Sequence, residues 1–146
     1  FYLSDVKKNL LLQVPNSIGS DFSMHAIGND LLLFLLTAHQ YKKIAYVSKV
    51  LSFFRAHPGS ISLESTDGKL PLHYNVARGY FAETYRPDLM RVLNANVFFD
   101  LKKYPGAGKY GLFGVSDFYV LRKDSRVDVL SLFVAFLRKI VVRYFR

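Results

Sequence analysis

The chain contains no cysteine, which removes disulfide frameworks, thiolate metal sites and cysteine nucleophiles and fits a reducing compartment. No uninterrupted apolar run reaches the ~18 residues of a spanning helix, so no segment is expected to cross a bilayer. No serine stands in a Gly-x-Ser-x-Gly elbow. His25, His39 and His73 lack partners at the three- or four-residue spacing of a helical metal pair and read as ordinary surface or core residues. Gly106, Gly108, Gly111 and Gly114 match no strand-to-helix phosphate fingerprint, and a plain loop is expected there. Internal repeats and low-complexity tracts are also missing. The first residue is Phe1, with no charged leader or signal-type apolar region, which reads as a cut inside a longer chain.

What is present is a chain of 146 residues, 51% hydrophobic and 16% aromatic, enough to bury a core and too apolar for disorder. Its 13 Phe and 10 Tyr supply either core packing or stacking platforms for sugars and bases. Acidic residues are scarce: 11 against 20 Lys and Arg, for a net charge of +9. Residues 122–146 hold seven of the basic residues and only two Asp, so the charge is concentrated at the end and points to anionic partners.

A short helix is expected over residues 5–12, stopped before Pro15. A second helix opens at Asn29 and Asp30. Six consecutive apolar residues after Asp30 predict that it is apolar all round and buried. Residues 44–47 and 50–55 are rich in β-branched and aromatic side chains and read as two short strands, with helix as the alternative. Loop composition at 63–70 suggests a boundary between residues 1–62 and a helical extension, 63–146. Within the extension, helices are expected over 72–84 and 88–103, broken by Arg86 and Pro87 and stopped at Pro105 and Gly106.

The last helix is expected over 128–146. Its first half is apolar, and at 100° per residue Arg138, Lys139, Arg143 and Arg146 fall within about 140° of one another. Such a helix either lies on an anionic membrane surface or packs as a core helix on residues 72–103.

Asp30 stands where a flexible coil meets an apolar helix. A carboxylate there either caps the helix or, held beside exposed N–H groups and the positive end of the helix dipole, serves as a proton acceptor facing a cleft. Downstream lie Arg55, His57 and Ser60, in the run Phe-Phe-Arg-Ala-His-Pro-Gly-Ser. A guanidinium suits a diphosphate through two parallel hydrogen bonds, the His57 imidazole either donates to the same phosphates or ligates a metal, and the Ser60 hydroxyl adds a donor. Each is alternatively an ordinary surface or turn residue.

The ordered set Asn29, Asp30, a helix, a strand, then Arg55, His57 and Ser60 resembles the acceptor half of family 2 glycosyltransferases with the GT-A fold. That resemblance covers residues 1–62 and implies an α/β architecture: the helix-rich C-terminal half of a GT-A fold, with a few short strands and a helical tail. It implies Asp30 as general base, with Asn29, Arg55, His57 and Ser60 as substrate-binding residues. The partners implied are a nucleotide-sugar donor and a glycan or lipid-linked acceptor, as in bacterial O-antigen or capsule assembly. A divalent cation, Mn2+ or Mg2+, is implied in the full-length enzyme, held mainly by an N-terminal half outside this chain. Two departures stand out: Asn29 occupies a place often taken by Glu, and no Asp-x-Asp metal motif is present. The expected location is cytoplasmic, peripheral to the inner face of the plasma membrane through 128–146. The competing expectation is a non-enzymatic basic helical module that binds a membrane surface or nucleic acid, although no specific nucleic-acid motif accompanies the charge.

Overall fold

The computed structural model describes residues 27–41, 43, 48, 67–121 and 126–144. Among them are four α-helices: α1 (Asn29–Gln40), α2 (Lys69–Tyr85), α3 (Met90–Lys103) and α4 (Val129–Tyr144). Short 3-10 helices occupy Pro87–Leu89, Pro105–Tyr110 and Val115–Phe118. The α/β architecture expected from the sequence is overturned. Of the described residues 78% are helical and none lies in a strand, so this part is mostly helical and not the α/β mix of a GT-A fold. The physical reason is spacing: Leu72, Val76 and Met90, Leu93, Val97 recur every three or four residues, which puts them on one helical face each. The segments read as strands, 44–47 and 50–55, and the helix expected over 5–12 lie outside the described residues.

α2 is the centre of the arrangement. It is entered through Gly68, whose φ of 83° lies in the left-handed region, and a Cβ there would strike the Tyr104 ring, so both backbone and space demand glycine. The Asp67 carboxylate accepts the Lys69 N–H at 3.0 Å and, on its other oxygen, the Lys109 ammonium at 2.5 Å and the Tyr110 hydroxyl at 2.6 Å. One side chain thereby fastens the start of α2 to the 3-10 helix after α3. α2 stops at Arg86 because Pro87 has no N–H to continue the ladder, and α3 stops before Pro105 for the same reason. Lys102 and Lys103 in the last turn of α3 complement its dipole.

α1 packs on one side of α2 and α3 on another, and α4 leans on α3. Leu32 and Leu36 from α1, Leu72, Val76 and Phe81 from α2, and Leu93 and Val97 from α3 meet Leu112, Phe118 and Tyr119 in one core. Each fully buried Leu or Val in it contributes ~1.5–3 kcal/mol relative to exposure. Gly79 lets the chain close on α2, since a Cβ there would collide with the Phe118 carbonyl oxygen. Buried Glu83 accepts the N–H groups of Val120 at 2.9 Å and Leu121 at 2.8 Å. The Tyr119 hydroxyl donates to Asn94 at 2.6 Å, and Asn94 donates to the Arg126 carbonyl at 3.0 Å. Among the described residues no buried side-chain nitrogen or oxygen is left without a partner, as a folded interior requires.

Two further expectations change. α1 is not apolar all round toward a core: only Leu32 and Leu36 of its apolar run are buried, and Phe34 is 61% exposed. One stripe meets α2, while Leu31 and Leu33 are half-buried. The glycine-rich stretch is not a plain loop either, because Pro105–Tyr110 and Val115–Phe118 are 3-10 turns. Asp117 stabilises the second of them by accepting the N–H groups of Phe113 and Gly114, both at 2.7 Å.

Candidate functional site

Of the five site residues singled out from the sequence, Asn29 and Asp30 are described, and Arg55, His57 and Ser60 lie outside the described residues. The two neighbours face opposite ways. Asn29 opens α1 and is buried, so its amide is turned into the protein, whereas Asp30 is exposed. The cap of α1 is Gly28, in the left-handed region at φ 89°, and no side chain bonds the cap. A glycine entry thus moves Asp30 into the first turn, past the capping position, and its carboxylate is not used up in capping. The positive end of the α1 dipole lies beside it.

Asp30 has instead a partner 44 residues away. The Tyr74 hydroxyl, on α2, donates to Asp30 Oδ2 at 3.0 Å. Partial burial, and after it this hydrogen bond, raises the Tyr74 phenol above its ordinary value, so it stays a protonated donor at neutral pH. One turn further along α2 stands Arg78, whose charge works against that shift. Arg78 is held by a relay: its guanidinium donates to Asn75 at 2.9 Å, and the fully buried Asn75 donates to Asp100 of α3 at 2.7 Å. The result is an open surface where α1 and α2 meet, bearing a carboxylate, a phenol fixed to it and a positioned guanidinium. A carboxylate so held can accept a proton from a hydroxyl brought within hydrogen-bond reach, and the guanidinium can attract an anionic group next to it.

Sequence reading missed Tyr74, Asn75 and Arg78. No local signal marks them, since Tyr74 becomes relevant only when α1 and α2 pack. The remaining polar clusters serve the fold. His73 bonds the Lys69 carbonyl at 2.7 Å and meets the Tyr110 ring edge-on, and His39 packs on Phe81 and Tyr85. A cavity of about 450 Å³ lies between the end of α3 and the 3-10 turns; Phe98, Tyr104 and Phe113 line it, and Lys102 is the one charged residue among its described lining. Among the described residues no three His, Asp or Glu side chains gather closely enough to hold a metal ion. Likewise, no helix among them is long and apolar enough to cross a membrane. Compared with protein-family models, curated proteins and solved structures, the chain matches none.

Proposed function

We propose that this chain is the acceptor-side part of an enzyme that transfers a sugar from a nucleotide-sugar donor to a glycan or lipid-linked acceptor, with Asp30 as the general base. The observation that carries the reading is the state of Asp30: exposed, excused from capping, and fixed by Tyr74. In the reaction the Asp30 carboxylate accepts the proton of the acceptor hydroxyl while that oxygen forms a bond to the anomeric carbon. The bond from that carbon to the diphosphate breaks, and the nucleoside diphosphate leaves with the electron pair. Tyr74 is a positioning residue that holds the carboxylate rotamer. Arg78 provides positive charge beside the acceptor's approach, which suits an acceptor bearing phosphate.

Arg55, His57 and Ser60 keep the roles that the resemblance implies, as donors to the departing diphosphate. A Mn2+ or Mg2+ ion would supply Lewis-acid stabilisation of that diphosphate. The resemblance assigns that ion mainly to an N-terminal half outside this chain. Assembly of a bacterial surface polysaccharide is the setting that this chemistry fits.

A donor screen on the full-length protein, with Mn2+ or Mg2+ and a panel of UDP and GDP sugars, tests the proposal. Transfer or slow donor hydrolysis with one sugar nucleotide is expected, and Tyr74→Phe should lower kcat by about tenfold with little change in KM, the scale of one charge-assisted hydrogen bond. Inertness toward every donor would instead favour the second reading, a non-enzymatic basic module, which the exposed face of α4 supports.

A further inference from the structure

α4 is packed in reverse. Of its described side chains the buried ones are two of the smallest, Ser131 and Ala135, each 7% exposed, while Leu132 is half-buried and most of the large apolar ones are exposed. Val129 is 82% exposed, Leu130 59%, Phe133 57%, Phe136 52%, Leu137 43% and Val141 52%. Polar groups fasten its start to α3. Arg91 bonds Asp128 at 3.0 Å and Ser131 at 2.7 Å, and Asp128 accepts the Ser131 N–H at 2.7 Å, clamping the first turn. A helix whose apolar residues served the core would present Phe133 and Leu137 to residues 72–103; here the core expectation fails at those positions.

At 100° per residue the exposed apolar positions cover a continuous arc of about 160°. Positions 138, 139 and 143, two Arg and one Lys, fall on the remaining arc. We infer that α4 is a surface-binding helix that lays its apolar arc into an anionic lipid headgroup layer. The inference is independent of sugar transfer.

Charge decides the occupant. The whole chain carries +9, so a second copy apposed on this face would bring two strongly positive bodies together. A layer of anionic headgroups instead takes up the apolar side chains and attracts the basic residues. With 16 residues, α4 is ~24 Å long, suited to lying along the layer and too short to cross it.

Flotation of the full-length protein with vesicles of phosphatidylcholine mixed with phosphatidylglycerol, against pure phosphatidylcholine vesicles, tests the inference. The protein is expected to float with the mixed vesicles and to lose most of that binding in high salt. Phe133→Ser with Leu137→Ser, at positions outside the core, should abolish flotation while helix content and melting temperature stay unchanged. Arg138→Gln, Lys139→Gln and Arg143→Gln together should weaken partitioning by about 100-fold, at roughly fivefold per basic residue. If the unaltered protein stays unbound, or the Phe133→Ser, Leu137→Ser variant floats equally well, the inference is wrong. Sedimentation that reveals a dimer lost in that variant, without vesicle binding, would assign the face to a second copy and also overturn it.

Discussion

α2 and α4 invert the usual relation between composition and burial. α2 carries Lys, His, Asn, Arg and Glu, yet nine of its 17 residues are buried, His73, Asn75 and Glu83 among them. α4 is far more apolar, yet Val129, Leu130, Phe133, Phe136, Leu137 and Val141 are exposed while Ser131 and Ala135 are buried. Neighbours account for the difference. α2 is covered by α1, by α3 and by the chain after α3, and its buried polar groups find partners: Asn75 in Asp100 and Arg78, Glu83 in two backbone N–H groups. Among the described helices, α4 packs mainly on α3. Hydropathy states what a side chain gains on burial, whereas burial itself depends on what is beside it.

The sharpest way to break the comparison is to remove one phenyl ring from each region. Phe81→Ala on α2 should cost ~3–5 kcal/mol in urea unfolding, the scale of a large core truncation, whereas Phe133→Ala on α4 should stay within about 0.5 kcal/mol. Similar losses at the two sites would mean that α4 is a core helix after all.

Glu83→Gln comes next. The amide can accept one of the two N–H groups of Val120 and Leu121 but turns a donor toward the other, so a loss of ~1–3 kcal/mol is expected by the same measurement. A neutral result would show that the chain after α3 is held by packing alone.

The smallest effect concerns pH. The Arg91 guanidinium, with the Ser131 hydroxyl and N–H after it, holds the Asp128 carboxyl well below its ordinary value of 3.8. For a depressed carboxyl the stabilisation is fully present above the unfolded value and is lost as pH falls through the folded one. The clamp of α4 on α3 should therefore persist through pH 5 and loosen only below the ordinary value. Carboxyl NMR checks this directly: Asp128 should titrate below 3.8, and Arg91→Met should move it back upward. An unchanged titration in Arg91→Met would remove Arg91 as the cause.

The parts of this fold that were legible in the sequence are those set by local chemistry. The break at Arg86 and Pro87 and the stop before Pro105 follow from proline's missing N–H, and both delimit α2 and α3 as read. α4 falls within the segment expected to be helical. What escaped was decided by packing. Six apolar residues after Asp30 looked buried, but only one side of α1 meets α2, and Phe34 is left outside. The strand-like runs at 44–55 suggested an α/β protein, and the described residues are helical. At the candidate site Asp30 could be picked out from its place at a helix start, whereas Tyr74 and the Asn75–Arg78 relay depend on helices brought together over tens of residues.

The central claim, that Asp30 removes the acceptor's proton, is tested most directly by the initial rate of sugar transfer in Asp30→Asn beside the unaltered full-length protein. The amide keeps the side chain's size and has no capping bond to lose, so helix content and melting temperature should stay the same while transfer falls ~10²-fold or more. A folded Asp30→Asn protein that transfers sugar within about twofold of the unaltered rate would contradict the claim.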